Sequence, residues 1–135
     1  KLAGGLPTVC DGLTRHVTTT PIIVGERWTD EKCEAHERAV TITIQRELVK
    51  CCKVLPPQHV FDAGTSLAWN VGVRGACGSS SMRLWNQGQW SLGCTRIAYT
   101  PNYRPNWSNA GGVFVPGLHN RRKDEMNVCL HGWPK

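Results

Sequence analysis

Beyond residue 29, apolar residues recur at helical spacing along most of the chain. Val40, Ile44, Leu48 and Cys51 fall three or four residues apart, which lays a single stripe along a helix. Thr29 precedes Asp30 and Glu31, an acceptor side chain followed by negative charge where the helix dipole favours it. A helix over 30–51 is predicted. Pro56-Pro57 ends it and opens another, whose Val60, Phe61, Gly64, Leu67 and Ala68 make one apolar stripe up to about Asn70. That stripe belongs in a core. Ser79 is placed to cap a short helix with Met82, Leu84 and Trp85, ended by Gly88, and 90–98 makes a further one. Leu118, Arg122, Met126 and Cys129 mark a last amphipathic helix. Between Thr100 and Gly117, prolines at 101, 105 and 116 and the pair Gly111-Gly112 predict a long loop, a feature often tied to function. Before Trp28 the pattern is different. Gly, Thr and Pro dominate, with β-branched runs at Pro7-Thr8-Val9-Cys10 and Pro21-Ile22-Ile23-Val24, so a hairpin or small sheet is expected there. The sum is an α+β fold in one domain, with a small β element over 1–28 and a lobe of about five helices over 29–135.

Charge and cysteine content narrow the class. Sixteen Lys and Arg against ten Asp and Glu give a net charge of +6, which favours anionic surfaces without choosing among them. The basic residues are scattered, apart from Arg121-Arg122-Lys123, so no dedicated nucleic-acid arm is predicted. Seven cysteines, at 10, 33, 51, 52, 77, 94 and 129, point to disulfides formed outside a reducing cytosol. Cys33-x-x-His36 and Cys129-x-His131 bring soft ligands together, but paired Cys-x-x-Cys motifs are missing. The cysteines are therefore read as structural, with no metal and no cofactor expected. No run of about 18 apolar residues and no signal peptide stand in the chain; any export signal would lie upstream of Lys1.

Three segments, in order, carry a resemblance. The first is Gly5-Leu6-Pro7-Thr8-Val9-Cys10-Asp11-Gly12-Leu13-Thr14. The second runs Phe61-Asp62-Ala63, then Ser66-Leu67-Ala68-Trp69-Asn70-Val71-Gly72-Val73, then Ser80-Ser81-Met82-Arg83-Leu84-Trp85-Asn86. The third is Gly111-Gly112-Val113-Phe114-Val115-Pro116-Gly117-Leu118-His119-Asn120-Arg121-Arg122. Taken singly they read as a turn, a buried helix and a proline-terminated loop. Their joint order resembles the phage-type lysozymes (endolysins) of glycoside hydrolase family 24.

The resemblance implies a lysozyme-like fold and a peptidoglycan muramidase, which hydrolyses the β-1,4 bond between N-acetylmuramic acid and N-acetylglucosamine. Such chemistry needs a protonated carboxylic acid beside the leaving oxygen and a second group holding the attacking water. The family supplies a Glu, then an Asp or Cys after eight residues, then a Thr after five more. Thr8 matches that Thr, and the alternative role for its β-branched side chain is simply to hold a strand. Leu2 stands where the family has Asp or Cys, and the acid position falls nine residues before Leu2. A missing N-terminal helix is therefore expected. By position, Trp69 and Asn70 match residues lining the family's cleft; core packing is the competing role for Trp69. Arg121 and Arg122 are placed to meet muropeptide carboxylates, or to be ordinary solvated charge. Asp11 reads as a turn residue, Glu26, Asp30 and Glu31 as helix-start charges, and Asp124 and Glu125 as balance for the basic run. The five histidines are assigned no role. The implied setting is the periplasm or cell wall of a bacterial host, for a phage- or prophage-encoded monomer with peptidoglycan as partner. A catalytically silent lysozyme-like module that binds wall glycan or a protein is the alternative.

Overall fold

The computed structural model describes residues 2–3, 6–7 and 29–133. Two short strands, β1 (Leu2–Ala3) and β2 (Leu6–Pro7), pair antiparallel with Leu2 opposite Pro7 and Ala3 opposite Leu6. Of the hairpin or small sheet expected over 1–28, this pair of strands is the part described. Thr8 and the run Pro21–Val24 lie outside the described residues.

Helix α1 (Asp30–Lys50) begins as its sequence requires: Thr29 accepts from the Lys32 amide through its side chain, and Asp30 and Glu31 occupy the first turn. It turns Val40, Ile44 and Leu48 inward. Helix α2 (Gln58–Val71) follows Pro57 and buries Val60, Ala63, Gly64, Leu67 and Ala68. Gly72, at φ 86°, closes α2 and opens α3 (Val73–Cys77). A side chain at that positive φ would strain the backbone, so the kink depends on glycine. Ser79 caps α4 (Ser80–Trp85) by accepting from the Met82 amide. Helix α5 (Trp90–Ala98) packs tightly on α4: a Cβ on Gly93 would run into the Trp85 ring. After the hairpin of β3 (Asn109–Ala110) and β4 (Val113–Phe114), α6 (Pro116–His131) closes the lobe with proline in its first turn.

Helix α2 is the centre of the lobe, packed against α1 and α6, and α6 also packs on α5. Leu48, Val60, Leu67 and Ile97 lie at the middle of the core with no more than 1% of their surface exposed. Two disulfides fasten it, Cys51–Cys77 at its margin joining the end of α1 to the end of α3 and Cys94–Cys129 within the core joining α5 to α6. Cys33 is also disulfide-bonded, and among the described residues Cys52 is the free thiol. Loop-closure entropy gives each mapped crosslink a stabilisation of about 3–4 kcal/mol. No helix among the described residues is long and apolar enough to cross a membrane.

The five predicted helices stand close to their expected bounds, and two features depart from the sequence reading. Helix α3 adds a short sixth helix where none was expected, because Gly72 turns the chain and lets 73–77 coil again. The loop after Thr100 folds back on itself as β3–β4, with Gly111 and Gly112 both at positive φ in the turn.

Candidate functional site

Consecutive residues on a helix point about 100° apart, so α2 sends Trp69 and Asn70 to different places. Trp69 is half-buried and donates from Nε1 to Thr41 Oγ1 of α1 at 3.2 Å. It forms one wall of a groove of about 440 Å³ that Glu37, Thr41 and Gln45 line from α1, Asp62, Thr65 and Ser66 from α2, and Arg121 from α6. Trp133 also lines it, held by its Nε1 donating to Asp62 Oδ2 at 2.9 Å. Two indole rings beside carboxylates, hydroxyls and an amide form a surface that can stack on a sugar face and hydrogen-bond its rim.

Asn70 is exposed, and its Oδ1 accepts from Arg122 Nη1 at 3.0 Å. Arginine only donates, so this contact fixes the amide with its oxygen inward and leaves Nδ2 as a donor on the outer side. Arg122 itself has 0% of its surface exposed. It lies behind the surface and can act on a ligand only through Asn70. Arg121 is half-exposed and lines the Trp69 groove.

Between the two stands Glu125, which the sequence reading treated as simple charge balance. It is 5% exposed. Its Oε2 accepts from Ser66 Oγ and lies 3.9 Å from Arg121 Nε, while Oε1 is 2.7 Å from Arg122 Nε. Despite that short distance, neither Arg122 Nε nor Glu125 Oε1 completes a directed hydrogen bond among the described residues, so Coulomb attraction holds the pair together. Burial pushes the Glu125 carboxyl above the ordinary Glu range, against the pull of Arg122, the Ser66 hydrogen bond and Arg121. Burial likewise lowers the Arg122 guanidinium, with Glu125 opposing it. The result is a continuous polar chain, Ser66 to Glu125 to Arg122 to Asn70, joining the groove wall to the exposed amide. A signal for it existed in the sequence: Asp62, Ser66 and Trp69 share a helical face of α2, and Glu125 follows Arg121 and Arg122 by four and three residues.

The loop beside this region is built on aromatic contacts. His119 of α6 meets Tyr99 edge-on with centroids 5.4 Å apart and Phe114 of β4 at 6.0 Å. Tyr103 and Trp107 hold φ of 57° and 53°, left-handed values rare for bulky residues and typical of segments under local constraint. Of the residues singled out from sequence, Trp69 and Arg121 are brought together in one groove and Asn70 and Arg122 are joined beside it. Thr8 is outside the described residues.

Comparison with known proteins gives this arrangement a context. The phage lysozyme family model matches residues 1–125. The chain belongs to the phage lysozyme family. A curated relative in the family, the SAR-endolysin of Bacteriophage PS119, is 32% identical over 128 residues, covering 95% of this chain and 70% of its own length. Among solved structures, the endolysin from Escherichia coli O157:H7 phage FAHEc1 superposes with a TM-score of 0.80 at 26% identity, over 98% of this chain and 82% of that one. The muramidase domain of SpmX from Asticaccaulis excentricus shares the fold, with a TM-score of 0.67 at 24% identity over 78% of this chain and 70% of its own. The lysozyme-like α+β fold expected from the motifs is the fold of this phage lysozyme.

Proposed function

We propose that this chain is the wall-lysing body of a phage-encoded endolysin, a glycoside hydrolase that cuts the β-1,4 bond between N-acetylmuramic acid and N-acetylglucosamine in host peptidoglycan. The observation that carries this reading is the family match over residues 1–125, in agreement with the 0.80 superposition on a phage endolysin. Assignment to glycoside hydrolase family 24 rests on the three motif segments. In this reading the Thr8 hydroxyl orients the attacking water, and a Glu at the family position nine residues before Leu2 supplies the proton to the leaving oxygen. Trp69 offers a ring to a sugar face, and the Asn70 amide donates to an acetamido oxygen. Arg121 meets a muropeptide carboxylate, and Arg122 keeps Asn70 in its donor orientation. The protein acts as a monomer in the periplasm or wall, without nucleic acid as a partner.

The test is digestion of purified peptidoglycan by a chain that carries the family's Glu ahead of Leu2. Release of new reducing ends at N-acetylmuramic acid, lost on Glu→Gln at that position and on Thr8→Ala, is the expected result. Intact wall after incubation would overturn the enzyme reading.

One observation favours a second reading. Leu2, paired with Pro7 in the hairpin, occupies the position where the family carries Asp or Cys, and leucine can neither accept a proton nor hold a water. A silent module retaining its glycan surface would sediment with insoluble peptidoglycan without cutting it.

A further inference from the structure

The C-terminal end of α1 carries a second groove, of about 510 Å³, between the turn after the helix and α4. Its charge is one-sided. Lys50, Lys53 and Arg83 line it, and no acidic residue does among the described ones. Lys50 is engaged at 2.9 Å with Glu47, a pair that is exposed on both sides and therefore weak. Neither Lys53 nor Arg83 has a carboxylate within 4 Å among the described residues. The frame beneath these cations is fixed. Asn86 donates from Nδ2 to the Cys51 carbonyl at 3.0 Å and accepts the Lys53 amide on Oδ1 at 2.7 Å, and the Cys51–Cys77 disulfide stands in the groove. Both ends of the Asn86 side chain are thus spent on backbone, and the loop bearing Lys53 is tied to α4.

We propose that this groove is a binding site for phosphate esters, separate from the Trp69 groove. Two cations without a carboxylate partner among the described residues, with Lys50 held only by its exposed pair with Glu47, exceed what a single carboxylate needs and suit a group carrying between one and two negative charges. Two lysines act as point charges on such a group, and an arginine adds a fork that can engage two of its oxygens. A concave floor takes a discrete headgroup more readily than a flat sheet of charge. The same chemistry is offered by a lipid headgroup at a membrane surface and by a free phosphate-bearing polymer. Either would concentrate the protein near the envelope while leaving the Trp69 groove open.

The purified full chain is titrated with equimolar phosphatidylglycerol and phosphatidylcholine vesicles, with phosphatidylcholine vesicles alone, and with glycerol 3-phosphate, reading the Lys53, Arg83 and Asn86 amide resonances. Binding to the anionic vesicles, to glycerol 3-phosphate or to both supports the site, and the arm that responds identifies the source. Lys53→Glu with Arg83→Glu weakens binding by roughly tenfold or more, and the neutral pair Lys53→Gln with Arg83→Gln weakens it less. Arg38→Glu with Arg104→Glu makes the same change in net charge elsewhere and leaves binding within about twofold. Equal losses for the groove pair and the distant pair, or no response to either phosphate probe, overturn the proposal.

Discussion

The two grooves of the helical lobe sit along the same helix α1 and are built on opposite principles. In the Trp69 groove the wall residues are backed by buried charge: Ser66 and Arg121 both reach Glu125, and Glu125 faces the fully buried Arg122. In the groove at the end of α1 the charges are all outward, on exposed side chains, and the frame is covalent and backbone-bonded. The first should therefore be sensitive to a single side-chain change deep in the core. The second should lose its ligand long before it loses its shape.

The largest expected effect comes from breaking the buried pair on one side. Glu125→Leu leaves the Arg122 guanidinium without its counter-charge and destabilises the fold by about 3–5 kcal/mol, read as a fall in the urea midpoint. Adding Arg122→Met to that variant restores most of the loss, because two apolar side chains pack where two charges had been desolvated. No recovery in the double variant would mean that Arg122 is held by something other than Glu125. Next in size, Cys51→Ala with Cys77→Ala removes a crosslink worth about 3–4 kcal/mol and loosens the frame of the cationic groove, while the Ser66–Glu125 contact persists. Loss of glycan binding in that variant would contradict the separation of the two sites.

A pH series separates the grooves further. Burial raises the Glu125 carboxyl, so the folded chain keeps a proton there at pH values where the unfolded chain, titrating at about 4.3, has released it. This group favours folding most below that value, and its contribution is lost as pH rises toward the folded-state value and is flat beyond. Subtracting the stability curve of Glu125→Gln from that of the parent isolates the effect, and a difference growing in the opposite direction would refute it. Trp69→Ala is expected to weaken glycan binding by about tenfold, and Asn70→Ala by somewhat less, both in titrations with soluble peptidoglycan fragments. Smallest of all, Lys53→Gln and Arg83→Gln should each change stability by less than about 0.5 kcal/mol.

The same contrast explains what could be read from the chain directly. The stripes of α1 and α2 and the Thr29 and Ser79 caps are local, so periodicity and capping chemistry placed them within a residue or two. Helix α3 was hidden because Gly72, a residue that suggests a helix end, here serves two helices at once. Strands β3 and β4 are two residues each, too short for an alternation pattern. Trp69 and Arg121 were named from motif position, but their shared groove was not visible, since they are 52 residues apart on α2 and α6. Glu125 was misjudged for a related reason. Its spacing to Arg121 and Arg122 is that of an ordinary surface pair, and only the approach of Ser66, 59 residues away, reveals that the carboxylate is in the core. Seven cysteines allow many pairings, and the two mapped here join segments that folding alone brings together.

Analysis of the cut ends of purified peptidoglycan is the most direct test, using a chain that carries the family's Glu ahead of Leu2. Fragments ending in reducing N-acetylmuramic acid, formed by the parent and absent with Thr8→Ala, are the outcome expected of a muramidase. Wall that stays uncut, or is opened only at its peptide bonds, would contradict it.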